Sequence, residues 1–194
     1  MYTTNADYFS FNVDNSILLV GQTRSGKSYL EDRYIEKLLK AYKPGELQFV
    51  FLDMTHLDFS DVTKNHQEYV RVYSGDAVKS LEILEELAEL SEERIKSSQL
   101  SPLLFILIEE CDIVMIGRDR FEEAVVKINT NAKLANMKLI YSTSRPGEAE
   151  IPKKMLKSFD LILAGRLSNN DRNYLGVPMI NDQDPYTFTV VGKN

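Results

Sequence analysis

The stretch "VGQTRSGKSYL" at residues 20–30 carries the side chains whose chemistry is easiest to recognise. Eight consecutive residues match the pattern G-x-x-x-x-G-K-[ST] of a phosphate-binding loop: Gly21, Gln22, Thr23, Arg24, Ser25, Gly26, Lys27 and Ser28. The glycines let backbone N–H groups surround phosphates, Lys27 would place its charge on the β- and γ-phosphates, and Ser28 would offer a hydroxyl to Mg²⁺. The pattern therefore predicts an ATP site with bound Mg²⁺.

Arg24 is an unusual residue inside such a loop. Its guanidinium could reach the γ-phosphate and act in catalysis, pair with a carboxylate, or point to solvent. The sequence leaves these alternatives open.

Two adjacent carboxylates follow an apolar run in "LLFILIEECD", residues 103–112. ATP hydrolysis in a phosphate-loop protein needs an acid near the metal and a group that orients the attacking water. The end of a buried strand is the expected position for both. We therefore expect Glu109 to serve the metal and Glu110 to orient the water as the catalytic acid.

Apolar runs of strand length alternate with helical patterns along the chain. Strands are predicted at 17–20, 48–53, 69–73, 103–108, 138–143 and 159–164, and helices at 27–42, 76–97 and about 119–135. The segment "YFSFNV" (8–13) reads as a short strand or a staple over the sheet, and "DPYTFTVVGKN" (184–194) as an edge strand. Continuous apolar strands between helices predict an α/β fold: a mainly parallel sheet with helices on both faces. At 194 residues, one domain over 1–194 is expected.

Composition narrows the class of protein further. The longest apolar run, "LLFILI", is too short to span a bilayer, the first residues lack a secretory pattern, and Cys111 has no second cysteine to pair with. We therefore expect an intracellular, cytoplasmic protein, with Cys111 as a buried filler. His56 and His66 have no common metal-site spacing, so no metal other than nucleotide-bound Mg²⁺ is expected.

Charge is unevenly distributed in a chain whose net charge is −6. Residues 82–93 hold six Glu and no basic residue, and they belong to a predicted surface helix with a stripe of Leu. Residues 127–172 hold nine Lys or Arg against four acidic residues. The overall acidity therefore does not exclude a nucleic-acid partner, because basic residues are concentrated elsewhere.

From Leu103 to Gly176 the order of motifs resembles that of the FtsK/HerA-type DNA translocases. The motifs are "LLFILIEE", "KINTNAKLANMK", "LIYSTSRP" and "FDLILAGRLSNNDRNYLG", and the phosphate loop and "FVFLDMTHLDF" extend the resemblance over most of the chain. The resemblance implies a RecA-like (ASCE) P-loop NTPase that forms a ring, of five or six subunits, around double-stranded DNA. Each ATP site would lie at a subunit boundary and be completed by a basic residue of the neighbour.

The resemblance also implies roles for single residues. Ser144 occupies the polar sensor position beside the ATP, and Arg166 resembles the conserved Arg that would complete the neighbour's site, with Lys133 and Arg145 as alternatives. Two positions depart from the family: Glu109 replaces the usual Asp, and Ser144 the usual Gln. The DNA grip is expected from Lys64, Arg118 and Arg120, in loops beside the sheet that would face the pore.

Several functions fit these patterns. The small size favours a phage or viral genome-packaging motor that docks on a portal or capsid in a bacterial host cell. A plasmid-transfer or chromosome-type translocase is the next alternative, followed by a secretion or assembly ATPase of the same superfamily. A small-molecule kinase is a distant alternative, because no Arg-rich lid is recognisable.

Overall fold

An eight-stranded sheet organises the computed structural model, which describes residues 1–9, 15–54, 59–109, 113–180 and 183–192. The strands are β1 (Tyr2–Asn5), β2 (Ile17–Val20), β3 (Leu47–Asp53), β4 (Val70–Ser74), β5 (Leu103–Glu109), β6 (Met137–Thr143), β7 (Leu161–Ala164) and β8 (Thr187–Gly192). The helices are α1 (Lys27–Ala41), α2 (Ser60–Asn65), α3 (Ala77–Ser97), α4 (Ile113–Ala135), α5 (Lys153–Ser158) and α6 (Asn169–Leu175). Two short 3₁₀ turns lie at Ala6–Tyr8 and Gln67–Tyr69.

The strand order is β1-β8-β7-β2-β6-β5-β3-β4. The strands from β7 to β4 in this order run parallel, whereas β8 runs antiparallel between β7 and β1. The prediction of an edge strand in 184–194 was therefore wrong, because β1 covers the outer side of β8. Every residue of β2, β5 and β6 is buried, as expected for strands covered on both faces. The α/β prediction with a mainly parallel sheet is confirmed.

The two faces of the sheet carry different cores. On one face α3, α4, α5 and α6 pack over aliphatic side chains such as Leu18, Val50 and Ile106. On the other face α1 packs over an aromatic cluster, in which the Tyr34 and Phe105 rings meet edge to face at 5.0 Å. The predicted Leu stripe of the Glu-rich helix α3 is buried on the first face.

Several sequence-based boundaries were wrong. The first strand is β1 at Tyr2–Asn5, and Tyr8 lies in a 3₁₀ turn instead of a strand. Phe9 is buried in the core beside α1, as the staple alternative requires, while 10–14 lie outside the described residues. The short helices α2, α5 and α6 were not predicted, because six or seven residues hold too few turns to show a helical period.

The candidate DNA residues lie on helices, not in the predicted loops. Lys64 is in α2, and α4 begins at Ile113, so that both Arg118 and Arg120 belong to it. The backbone of Gly117 departs from helical angles, which divides α4 into a first turn and a long second part. The chain resumes the helix directly after this glycine.

Candidate ATP site

The phosphate loop connects β2 to α1 at the carboxyl edge of the parallel strands. The Gly21 amide donates to the Thr143 carbonyl at the end of β6 (3.3 Å), and the Gln22 amide donates to the Arg166 carbonyl just after β7 (2.8 Å). Both strands adjacent to β2 therefore hold the loop. Ligands of open α/β sheets bind at this edge, so the loop lies where a nucleotide is expected.

At two positions of the loop, neighbouring atoms lie so close to the glycine Cα atom that a side chain would not fit. A Cβ on Gly21 would lie 2.4 Å from the Ser25 Oγ atom, which is buried beneath it. Gly26 has a left-handed φ of 95°, and a Cβ there would lie 2.7 Å from the Tyr186 ring. The loop's compact path therefore depends on both glycines, as the motif predicts.

Lys27 is the first residue of α1 and is only 7 % exposed. Its Nζ atom donates to the Gly21 carbonyl oxygen at 2.9 Å, across the mouth of the loop. The ammonium group is thus held beside the loop, where the oxygens of a β- or γ-phosphate would accept hydrogen bonds from it.

A cavity of about 660 Å³ opens beside this loop. It is lined by Thr23, Arg24, Ser25, Gly26, Lys27, Ser28, Tyr29, Met54, Glu109, Ser144, Arg145 and Tyr186. The structure therefore brings together most of the loop, the expected metal-side acid Glu109 and the expected sensor Ser144. Gly21 and Gln22 support the loop without lining the cavity.

Two acids lie side by side at the strand ends. Glu109 ends β5 and is 3 % exposed, and it pairs in register with Asp53 at the end of β3, which is fully buried. The Tyr73 hydroxyl donates to Asp53 at 3.4 Å, and burial together with the Asp53 charge raises the pKa of Tyr73. Asp53 was not recognised from the sequence, although an acid that ends a buried strand was the signal used for Glu109.

The oxygen donors of this cavity suit Mg²⁺. Ser28 contributes a hydroxyl and Glu109 a carboxylate, and Mg²⁺ is usually held by one or two such groups together with phosphates and water. These residues fit the predicted metal role. Glu110, Cys111 and His56 lie outside the described residues, so their roles stay predictions.

Three Arg residues take different positions around the loop. Arg24 is exposed, lines the cavity and has a left-handed φ of 65°. Arg145 also lines this subunit's own cavity and lies 3.6 Å from Glu150. Arg166 is exposed and does not line the cavity, and its carbonyl oxygen accepts a hydrogen bond from the Gln22 amide of the loop.

The candidate DNA residues lie away from the cavity and on the surface. Lys64 is exposed on α2. Arg118 donates to the Glu148 carbonyl oxygen at 2.8 Å, and Arg120 donates to both carboxylate oxygens of Glu85 on α3, at 2.7 and 2.6 Å. Lys133, the remaining alternative for the neighbour's site, is exposed near the end of α4.

The family comparison covers nearly the whole chain. Residues 3–178 match the model of the FtsK/SpoIIIE family. The chain therefore belongs to the FtsK/SpoIIIE family, and its fold and phosphate loop make it a P-loop ATPase domain. The predicted resemblance to FtsK-type proteins is confirmed.

Individual relatives are distant in sequence. The DNA translocase FtsK of Streptococcus pyogenes serotype M3 is 24% identical over 187 residues, which cover 78% of this chain and 23% of that protein. The chain thus spans less than a quarter of the length of such relatives.

Among the helices of the described ranges, none combines the length and the apolar character of a membrane span.

Two solved structures show the same fold. ATPases 2 and 3 of EssC from Geobacillus thermodenitrificans superpose with a TM-score of 0.75 at 15% identity, covering 96% of this chain and 39% of that one. The genome packaging NTPase B204 of Sulfolobus turreted icosahedral virus 2, solved with ATP-gammaS, has a TM-score of 0.55 at 22% identity, covering 86% of this chain and 82% of that one.

Proposed function

We propose that this chain is an ATP-driven double-stranded DNA translocase that works as a ring of five or six copies. The observation that carries the proposal is the single cavity in which Lys27, Ser28 and Glu109 meet, in a chain of the FtsK/SpoIIIE family. The cavity supplies phosphate charge, a hydroxyl and a buried carboxylate. These groups are the parts that ATP hydrolysis needs from a phosphate-loop protein.

In the proposed reaction the loop holds the triphosphate through backbone N–H groups and Lys27. Ser28 and Glu109 would hold Mg²⁺, which neutralises charge on the phosphates when it is bound. Glu110, the next residue after β5, would orient the attacking water. Arg24 and Ser144, which both line the cavity, would contact the γ-phosphate.

We assign to Arg166 the role of completing the ATP site of a neighbouring subunit. It is exposed and is not part of its own subunit's cavity, as a group that acts on another subunit must be. Arg145 is the weaker choice, because it already lines its own cavity. Lys133 is exposed, but it lies at the far end of α4.

The DNA would be held through its phosphates and therefore largely independently of sequence. Lys64, Arg118 and Arg120 are the proposed contacts, and all three are exposed. A ring would present these cations several times along one channel. This repetition lets a chain with a net charge of −6 bind a polyanion.

Genome packaging is the form of translocation that we favour. What supports this choice is the structural neighbour B204, a genome packaging NTPase with a TM-score of 0.55 to this chain. In this role the ring would dock on a viral portal. A secretion ATPase is the second candidate, because the Type VII Secretion ATPase EccC of Thermomonospora curvata superposes with the higher TM-score of 0.74. A plasmid-transfer translocase is a further form of the DNA proposal.

ATP turnover with and without double-stranded DNA tests the proposal. We expect DNA to stimulate turnover by the unmodified chain and no turnover by Lys27→Ala in either condition. Lys40→Ala is the control, since Lys40 lies on the exposed side of α1. Turnover that is indifferent to DNA but rises with a secreted protein would contradict DNA translocation and favour secretion.

Two further arms separate the finer claims. Arg166→Ala subunits mixed with Lys27→Ala subunits should regain partial turnover if Arg166 acts on the neighbour, and no recovery at any ratio would contradict a shared site. ATP-dependent protection of DNA from nuclease by the chain with an empty viral shell and its portal would support packaging. Stimulation by DNA without such protection would favour plasmid transfer.

A further inference from the structure

Two tyrosines form an aromatic corner on the rim of the ATP cavity. The rings of Tyr29 and Tyr186 meet edge to face, with centroids 5.2 Å apart and planes at 76°. Both line the cavity, and they remain 39% and 48% exposed, respectively. Large aromatic side chains are usually buried more completely, so this pair presents apolar ring surface to the cavity.

The backbone of Tyr186 is strained for a bulky residue. Its φ of 63° lies in the left-handed region, which non-glycine residues seldom adopt. Two hydrogen bonds hold it there: the Tyr186 amide donates to the Ser25 carbonyl at 3.0 Å, and the Ala6 amide donates to the Tyr186 carbonyl at 2.8 Å. One of these bonds is made directly to the phosphate loop. The fold therefore maintains this ring beside Gly26 against a local cost.

A buried guanidinium fixes the segment that carries Tyr186. Arg172 of α6 is fully buried and donates to Gln183, to the Gly165 carbonyl at 3.2 Å and to the Pro178 carbonyl at 2.7 Å. Gln183 in turn donates to the carbonyls of Ala164 (3.1 Å) and Thr187 (2.6 Å). Residues 183–187 are thereby attached to the end of β7. Burial lowers the pKa of Arg172.

Tyr29 is held from the other side. It lies two residues after Lys27 in the first turn of α1, and its hydroxyl donates to Asp7 at 2.6 Å. This hydrogen bond raises the pKa of Tyr29, and it ties the end of the side chain to Asp7. The corner is therefore held in place by hydrogen bonds within the protein itself.

The sheet order separates this corner from the acids. Relative to β2, the acid strand β5 lies two strands to one side, and β8, which begins directly after Tyr186, lies two strands to the other. With the triphosphate on the loop and its metal side toward Glu109, the nucleoside end is left to extend toward β8. The aromatic corner is the apolar surface on that side of the cavity lining.

We propose that Tyr29 and Tyr186 form a base subsite that stacks against the purine of the bound nucleotide. The inference rests on the proposed function, because it assumes that a nucleoside triphosphate occupies the loop. Stacking on an aromatic ring uses the face of the base and not its edges. The subsite therefore favours purines over pyrimidines, through their larger face, and discriminates little between adenine and guanine.

Binding titrations with Mg²⁺ and ATP, GTP, CTP or inorganic tripolyphosphate test the subsite. We expect Tyr186→Leu, which keeps bulk but removes the aromatic face, to weaken ATP and GTP about 10-fold and to leave tripolyphosphate unchanged. Tyr186→Phe should retain purine binding. Tyr29→Leu is a second variant in a regular helix, where folding is less sensitive to the substitution. Tyr8→Leu is the control, because Tyr8 is 84% exposed and does not line the cavity.

The outcomes separate this inference from the proposed function. If the unmodified chain binds tripolyphosphate as tightly as ATP, or if Tyr186→Leu and Tyr29→Leu bind ATP normally, the base subsite is overturned while the phosphate loop stands. If the variants weaken ATP and tripolyphosphate equally, the tyrosines support the loop and the subsite is again overturned. If the unmodified chain binds no nucleotide, the proposed function fails, and the subsite fails with it.

Discussion

Cations in two regions of the molecule are held in contrasting ways. In the phosphate loop, Lys27 is almost buried and donates to a carbonyl oxygen of the loop itself. Across the α3–α4 surface, Arg120 is exposed and donates to both oxygens of the Glu85 carboxylate. A phosphate bound at Lys27 would find the ammonium group already in position, hydrogen-bonded to the Gly21 carbonyl. A phosphate bound at Arg120 would have to displace the Glu85 carboxylate. Position and partner, not the charge itself, therefore decide how strongly a cation can act on a ligand.

The largest loss of ATP turnover is expected from substitution of Lys27, because the loop already holds its ammonium group in position. Lys27→Ala should abolish measurable ATP turnover, a fall of more than about 100-fold, because it removes a nearly buried positive charge from the phosphates. Glu110→Gln should instead bind ATP and hydrolyse it very slowly, since it removes only the group that orients water. Turnover and ATP binding are measured side by side for both variants. Normal turnover by Glu110→Gln would move the catalytic role to Glu109.

An intermediate effect, on stability, is expected from substitution of Gly26, the residue directly before Lys27 in the loop. Gly26→Ala combines a left-handed φ with a contact of 2.7 Å to the Tyr186 ring, so we expect a loss of about 2–3 kcal/mol in the free energy of unfolding. Gly176→Ala is the matched control, because its φ is also left-handed but no atom lies within 4 Å of the new Cβ. It should cost about 1 kcal/mol. Equal losses in denaturant unfolding would show that the Tyr186 contact contributes nothing.

The smallest effect is expected on the α3–α4 surface. The hydrogen bond from Arg120 lowers the pKa of Glu85, so this pair stabilises the fold above the ordinary pKa of Glu and loses its contribution as the pH falls through the lowered value. Glu85→Gln should slightly reduce the melting temperature near neutral pH, and this difference should vanish in acid. A difference that grows in acid would contradict the pairing.

The same substitution bears on DNA. Releasing Arg120 from Glu85 should strengthen DNA binding if Arg120 faces the DNA. Glu92→Gln is the control on the same two helices, because Glu92 pairs with Lys127 at 2.9 Å and its pKa is likewise lowered by that hydrogen bond. If both variants change DNA binding equally, the change follows from the loss of one negative charge, and a specific contact of Arg120 with DNA is contradicted.

Most of the fold could be predicted because its signals are local. The strand 17–20 was predicted to the residue, and α1 and α3 to within one residue of each end, since apolar runs and helical periods are contained in contiguous segments. β1 was missed because "YTTN" is short and half exposed, and it forms a strand only by pairing with β8. Its conformation depends on a partner far away in the chain, because Tyr2 pairs with Val190 and Asn5 with Thr187.

The sequence by itself determined the phosphate loop, because glycines, lysine and serine act through a contiguous backbone path whose geometry the motif encodes. It also determined that Glu109 ends a buried strand. Only the tertiary structure decided that Asp53 lies beside Glu109, that Arg145 lines its own subunit's cavity and that Tyr186 covers Gly26. These neighbours come from strands and loops far apart in the chain. Their meeting follows from sheet order and register, which side-chain packing sets across the whole domain and no local pattern records.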